Sequence, residues 1–196
     1  VAAALADPYW AQSPVLAITG ATASGNMYKS EYQSLNQMPL FSPVTKWNAF
    51  AVSPEKTPEL IIKALNQAVS GTKGPVHLDI PKNYFGMEID VEPSSQEDFI
   101  QPKTMIPDRG AVVEAVENLL KSERPVILAG DGAVCSGAAS VLFKLSEMFQ
   151  IPVATTMGGK TAFPSTHPLN LGIIGRYSSR NANDMVSQSD CVLVAG

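Results

Sequence analysis

The sequence predicts an α/β fold with parallel sheets, divided into two domains. From residue 108 onward, short apolar runs typical of buried strands alternate with amphipathic helical segments. An earlier helix and strand, over residues 57–81, follow the same order. Between residues 83 and 107 the periodicity is lost and prolines accumulate, which indicates a connection between domains. We therefore expect domains over 1–82 and 108–196, joined by a linker over 83–107, with right-handed crossovers and sheets covered on both faces.

In the first domain, the clearest signals belong to one helix. Thr57 is placed to cap it, Pro58 suits its first turn, and Gly71 can adopt the left-handed conformation that ends a helix. The strands on either side are apolar runs bounded by proline or glycine. The predicted elements are a helix-like start over 1–6, strands over 14–20 and 74–81, and the helix over 57–70.

The second domain is predicted to be Rossmann-like, because each helix leads into a strand of a parallel sheet. Its first helix is amphipathic, with Val112, Val113, Val116, Leu119 and Leu120 expected on the buried face. The predicted helices span 108–121, 136–150 and 181–188, and the predicted strands span 126–129, 152–156 and 191–195.

Composition narrows the functional class. Of the 196 residues 45% are hydrophobic, enough for a sizeable core. The net charge of −4 arises without a Lys/Arg cluster, which argues against nucleic acid as a partner. No apolar run reaches the roughly 18 residues of a membrane span, and no charged start of a signal peptide is present. We expect a cytoplasmic protein that acts on a small molecule, with no membrane partner.

Several side chains that often carry chemistry have structural explanations here. Cys135 and Cys191 lack metal-ligand or redox spacing, so we expect reduced core thiols. His77 lies inside a predicted strand and His167 in a loop, and we expect both to be structural. We assign no metal ligand to this chain.

Gly130-Asp131-Gly132 stands between a predicted strand and a helix, where glycines and free backbone N–H groups suit a nucleotide phosphate. The motif GxGxxG is incomplete, so a tight turn without a ligand stays equally open. A magnesium site at this triplet is disfavoured because no Asn occurs between Asp131 and Asn170.

Arg176 and Arg180 follow a predicted strand that ends near Gly175, at the position where α/β sheets bind ligands. Guanidinium groups there suit a phosphate or a carboxylate. Solvent-exposed arginines without a ligand are the alternative.

Several stretches, in order, resemble thiamine-diphosphate-dependent enzymes of the acetolactate synthase superfamily. The first is similar to the end of their pyrimidine-binding domain, and the others are similar to landmarks of their central domain. The stretches are GPVHLDIPK at 74–82, RPVILAGDG at 124–132, PVATT at 152–156, GKTAFP at 159–164 and HPLNLG at 167–172.

The resemblance implies thiamine diphosphate and magnesium as cofactors and a reaction that forms or breaks a carbon–carbon bond of a 2-oxo acid. Tyr32-Gln33 resembles an aromatic-Gln element near the reacting atoms, in which the amide of Gln33 would donate to a developing oxyanion. Thr45-Lys46 resembles a Thr-Lys near the substrate channel. The activating glutamate and the magnesium site would lie outside residues 1–196, so we expect this stretch alone to be catalytically incomplete, with neighbouring segments on both sides.

The resemblance also implies a nucleotide in the central domain, with Gly130, Asp131, Gly132, Thr156, Gly175 and Arg176 as contact residues. The expectation of FAD is weakened because Thr72-Lys73 stands where the family usually has a flavin-contacting arginine. ADP or an empty pocket is the alternative. A homodimer or homotetramer is implied for the full-length protein.

Two alternatives remain. The stretches NQMPLF at 36–41 and IPKNYF at 80–85 resemble sulfoacetaldehyde acetyltransferase, which uses the same cofactor. The other alternative is a non-catalytic nucleotide-binding or structural module.

Overall fold

The computed structural model describes residues 1–32, 34–92, 95, 106–178 and 180–196. The chain divides into two compact units, unit 1 over Val1–Thr104 and unit 2 over Met105–Gly196. The finer division into two domains and a linker stays a prediction. Among the helices described, none has both the length and the apolar character needed to cross a membrane.

Unit 1 is built on a three-stranded parallel sheet with the order β1-β3-β2. The central strand is buried at every position, so it forms the middle of the core. The predicted strands and the predicted helix over 57–70 are present, and a strand and a short helix were missed (β2 and α2). The elements are α1 Ala2–Trp10, β1 Leu16–Ala21, α2 Gln37–Phe41, β2 Trp47–Phe50, α3 Thr57–Val69 and β3 Val76–Pro81.

Helix α3 starts differently from the prediction. Lys56 is the N-cap residue, and the Thr57 hydroxyl donates to the carbonyl oxygen of Ser53 instead of capping the helix. The prediction that Thr57 is the cap was therefore wrong, because the hydroxyl has a backbone acceptor in the preceding turn. Pro58 does lie in the first turn, and Gly71 adopts the left-handed conformation with φ of 57°.

Unit 2 is built on a four-stranded parallel sheet with the order β6-β5-β4-β7. Its buried core includes Ile127, Leu142, Val153 and Phe163. The sheet and its alternating helices confirm the predicted α/β class. The elements are α4 Arg109–Lys121, β4 Pro125–Ala129, α5 Asp131–Cys135, α6 Ala139–Phe149, β5 Val153–Thr155, β6 Asn170–Ile173, α7 Arg180–Gln188 and β7 Cys191–Ala195.

The single helix predicted over 136–150 is wrong at its start. Gly137 has a left-handed φ of 72° and ends α5, after which α6 begins at Ala139. A periodic apolar pattern does not reveal such a break, because a glycine is compatible with both conformations.

Two burial predictions in unit 2 were also wrong. On α4 only Leu119 is buried, while Val112, Val113, Val116 and Leu120 are exposed, because Leu119 alone reaches the core. Cys135 is exposed at the end of α5, whereas Cys191 packs against the core as expected.

Candidate functional site

A cavity of about 450 Å³ opens at the carboxyl ends of the strands of unit 1. Ala21 and Phe50, which end β1 and β2, and Asp79 in the second half of β3 contribute to its wall. Residues 34–38 line another side. Carboxyl ends of parallel strands are the usual ligand position in α/β sheets. The volume lies in the range of small-molecule sites.

A polar cluster lies beside this cavity on β1 and β3. The Thr19 hydroxyl donates to Asp79 Oδ1 at 2.8 Å and lies 2.7 Å from His77 Nε2. His77 and Asp79 are two apart on β3, so their side chains share a face, and Thr19 is the β1 partner of Asp79. The sheet register therefore builds the cluster.

Gln37 connects the cluster to helix α2. Its amide donates to Asp79 Oδ1 at 3.0 Å and to the carbonyl oxygen of Gly20 at 3.0 Å. Asn48 on β2 donates to the carbonyl oxygen of Met38 at 2.9 Å. These contacts hold the wall formed by residues 34–38 against all three strands.

His77 is fully buried and neutral. Its ring stacks on Phe41 with the ring centres 3.7 Å apart. Because the single Thr19 hydroxyl proton points to Asp79, His77 Nε2 must carry the proton that Thr19 accepts. His77 Nδ1 is then an acceptor, and no described residue donates to it. Burial lowers the pKa of His77 to about 4.

The lowered pKa of His77 predicts that the folded chain loses stability in acid. In the unfolded chain His77 takes up a proton near pH 6.5, but in the folded chain only near pH 4, so stability falls as the pH drops through that window. We expect a loss of about 2 kcal/mol between about pH 7 and about pH 5, measured by urea unfolding. Burial raises the pKa of Asp79, so the folded chain takes up a proton at this carboxyl at a higher pH than the unfolded chain does. This uptake adds stability as the pH falls and opposes the loss caused by His77.

The variant His77→Gln is the matched control, because its amide can still donate to Thr19 but does not titrate. Its unfolding free energy should lack most of this pH dependence. An unchanged pH dependence would contradict the assignment to His77.

The segment that carries Tyr32 lies beside the cavity-forming residues in sequence. Tyr32 is 87% exposed, and Gln33, the predicted oxyanion donor, lies outside the described residues. Glu31 pairs with Lys82 at 3.0 Å, and this contact holds the pKa of Glu31 below its usual value. Local hydrogen bonds account for the position of the Lys46 side chain, because its ammonium group donates to the carbonyl oxygens of Ser70 and Thr72.

In unit 2 the predicted nucleotide contacts meet at one sheet edge. Gly130, Thr156 and Gly175 follow β4, β5 and β6, which are neighbours in the parallel sheet. Asn183, which the sequence did not single out, fixes the last loop by accepting from the backbone N–H of Gly175 and donating to Ser178 Oγ. Arg176 is exposed, with its guanidinium carbon 5.8 Å from the ring centre of Tyr177.

The glycines of the first turn are required by contacts within the chain. A Cβ on Gly132 would lie 2.8 Å from Gly196 Cα, and one on Gly130 would overlap the carbonyl oxygen of Gly196. The Asp131 carboxylate accepts a hydrogen bond from the Cys135 thiol at 3.6 Å and adds negative charge beside the turn. These contacts account for the two glycines without a ligand, and a nucleotide at this turn stays a prediction.

The polar cluster of unit 1 was missed by sequence reasoning. Sequence reasoning places Asp79 and Gln37 only within stretches that resemble known enzymes, and Thr19 only within a predicted strand. A charged residue in the middle of a buried apolar run was the available signal, since such a group requires partners.

Comparisons with known proteins show what this chain is similar to. Residues 112–196 match the family model described as "Thiamine pyrophosphate enzyme, central domain". The chain is 38% identical to a probable acetolactate synthase large subunit of Methanocaldococcus jannaschii, over 98% of this chain and 33% of that protein. It is 36% identical to the sulfoacetaldehyde acetyltransferase of Alcaligenes xylosoxydans xylosoxydans, over 98% of this chain and 31% of that protein.

The fold has a solved counterpart. A Mycobacterium smegmatis protein assigned to the thiamin diphosphate-dependent enzymes matches with a TM-score of 0.80 and 21% identity, over 100% of this chain and 37% of that protein. The chain thus spans about a third of the length of its relatives. Residues 112–196 match the central-domain model of thiamine pyrophosphate enzymes, and nearly the whole chain is similar to about a third of an acetolactate synthase and of a sulfoacetaldehyde acetyltransferase.

Proposed function

We propose that this chain is part of a thiamine-diphosphate-dependent enzyme that forms or breaks a carbon–carbon bond of a 2-oxo acid, as acetolactate synthases do. The observation that carries the proposal is similarity along 98% of the chain to acetolactate synthases, at 38% and 33% identity in two of them. The similarity includes both units and is not confined to the central domain.

The chain's own contribution is a binding surface and a hydrogen-bond donor. The cavity in unit 1 lies where α/β sheets bind ligands, and its wall follows directly after the Tyr32-Gln33 element. The Gln33 amide would donate to the oxyanion that develops on the substrate carbonyl. Thiamine diphosphate, when bound, would supply the carbanion that attacks this carbonyl.

Magnesium is proposed as the companion of thiamine diphosphate, with its ligands outside this chain. No group of three or more His, Cys, Asp or Glu side chains able to hold a metal ion is found in the described part of the chain. The proposal assigns none of the chain's residues to the metal.

Conversion of sulfoacetaldehyde and phosphate to acetyl phosphate, with release of sulfite, is the second candidate. It is favoured by 36% identity to a sulfoacetaldehyde acetyltransferase along 98% of the chain. The two candidates share the cofactor and differ in substrate and acceptor.

One assay separates them. The natural polypeptide that contains this sequence is incubated with pyruvate alone, or with sulfoacetaldehyde and phosphate, each with and without thiamine diphosphate and magnesium. We expect acetolactate from pyruvate, dependent on both cofactors. Acetyl phosphate from the second mixture would establish the other candidate. If neither mixture gave a product, the alternative of a non-catalytic module would remain.

For the central domain we propose FAD or ADP as ligand. The proposed contact residues are Gly130, Asp131, Gly132, Thr156, Gly175 and Arg176. Isothermal titration with each nucleotide tests this.

A homodimer or homotetramer of the natural polypeptide is proposed as well, and light scattering measures its oligomeric state.

A further inference from the structure

The segment of residues 24–34, which contains the predicted oxyanion donor Gln33, has little regular structure. It includes one short 3₁₀ turn, Ser24–Asn26, and none of its described residues belongs to an α-helix or a strand. The backbone-to-backbone hydrogen bonds of its described residues join residues that are two or three apart. Since these bonds are local, side-chain contacts must place the segment against the rest of unit 1.

Two residues directly after β3 make such contacts. Asn83 Oδ1 accepts from the backbone N–H of Ser24 at 2.9 Å, and Asn83 Nδ2 lies 3.2 Å from Ser24 Oγ. Lys82 Nζ donates to Glu31 Oε1 at 3.0 Å. Asn83 therefore fixes the start of the segment, and Lys82 fixes the part that precedes Gln33.

The Glu31 carboxylate depends strongly on Lys82. The Glu31 side chain is only 26% exposed, and its Oε2 is buried without a donor among the described residues. Its Oε1 also accepts from Asn26 at 3.3 Å. Without the ammonium group of Lys82, a partly buried negative charge would lose its ion-pair partner, so the segment would have to move to let water reach the carboxylate.

Glu31 is also connected to the chain on the other side of Gln33. Its carbonyl oxygen accepts from the backbone N–H of Ser34 at 3.0 Å. Ser34 and Leu35 then contribute to the wall of the cavity in unit 1. A displacement of Glu31 would therefore move the chain on both sides of Gln33.

On the basis of the proposed function, we propose that Lys82 is a positioning residue for Gln33. Its ion pair with Glu31 holds the chain around Gln33 where the amide can reach the substrate carbonyl. A donor acts on an oxyanion from about 3 Å, so a displacement of about 1 Å is enough to lower the rate. Lys82 acts through Glu31 and does not touch the reacting atoms.

The test introduces Lys82→Gln into two backgrounds of the natural polypeptide, the unmodified sequence and Gln33→Leu. Lys82 is 58% exposed, so the variant should fold. In the unmodified background we expect kcat for acetolactate formation from pyruvate to fall about tenfold, with KM changing less than about threefold. In the Gln33→Leu background the donor is already lost, so the same change should lower kcat less than about twofold. Equal losses in the two backgrounds would overturn the proposal.

Lys56→Gln is the matched control. It removes the same charge from unit 1, but its partner Glu59 is 74% exposed and stays hydrated without the lysine. We expect kcat within about twofold of the unmodified protein. The double variant Lys82→Gln/Glu31→Gln should recover most of the activity that Lys82→Gln loses, because the second change removes the unpaired charge.

A second readout needs no reaction. Methionine methyl groups labelled with ¹³C in the 196-residue chain report the position of the segment, since Met27 lies within it while Met148 and Met185 lie in unit 2. We expect Lys82→Gln to shift the Met27 signal and to leave the unit 2 signals in place. An unchanged Met27 signal would also overturn the proposal. If the natural polypeptide forms no product, the proposed function fails, and the Met27 signal still decides whether Lys82 places the segment.

Discussion

Replacing Phe163 by alanine should destabilise unit 2 by about 3–5 kcal/mol, the usual cost of deleting a buried aromatic side chain. Phe163 is 2% exposed and belongs to the core cluster with Ile127 and Val153. Its ring also contacts His167, with the ring centres 5.1 Å apart. The variant would lose this burial and leave a cavity that the β4 and β5 strands cannot fill without moving.

The measurement is urea unfolding followed by the methyl signals of Met148 and Met185, because both tryptophans, Trp10 and Trp47, lie in unit 1 and do not report on unit 2. Phe149→Ala is the matched control, since Phe149 is 43% exposed at the end of α6. We expect the control to cost about 1 kcal/mol or less. Equal losses in the two variants would contradict the assignment of Phe163 to the core.

Replacing Gln33 by leucine in the natural polypeptide should lower kcat about 100-fold. The magnitude is that of removing one side-chain donor from a developing oxyanion. Leucine has a similar volume but no donor, so substrate binding should change less than the chemical step. The measurement is kcat and KM for acetolactate formation from pyruvate.

Tyr32→Phe is the control for this position. Phenylalanine keeps the aromatic ring of the aromatic-Gln element, and the exposed Tyr32 hydroxyl has no role in the proposed chemistry. We expect kcat within about twofold of the unmodified protein, which corresponds to less than about 0.5 kcal/mol. A large loss in Tyr32→Phe together with a small loss in Gln33→Leu would reverse the assigned roles.

The sequence predicted an element correctly where a strong local pattern coincided with burial in the folded chain. Strand β3 and helix α3 were predicted because an apolar run and a bounded amphipathic helix leave few alternatives. Strand β2 was missed because Trp47-Asn48-Ala49-Phe50 is short and partly exposed, and its strand conformation comes from pairing with β3. Helix α2, with five residues, likewise depends on its tertiary contacts.

The sequence by itself determined the α/β class, the order of most elements and the resemblance to thiamine-diphosphate-dependent enzymes, because these follow from periodicity and motif order along the chain. The tertiary structure alone decided which polar groups meet. Thr19 and Gln37 lie 60 and 42 residues from Asp79 along the chain. The register of β1 against β3 brings Thr19 to Asp79, and the position of α2 brings Gln37 there. The tertiary structure also decided that α4 buries only Leu119 and that α6 begins at Ala139, after the left-handed Gly137, since burial and backbone conformation depend on neighbours that are distant in sequence.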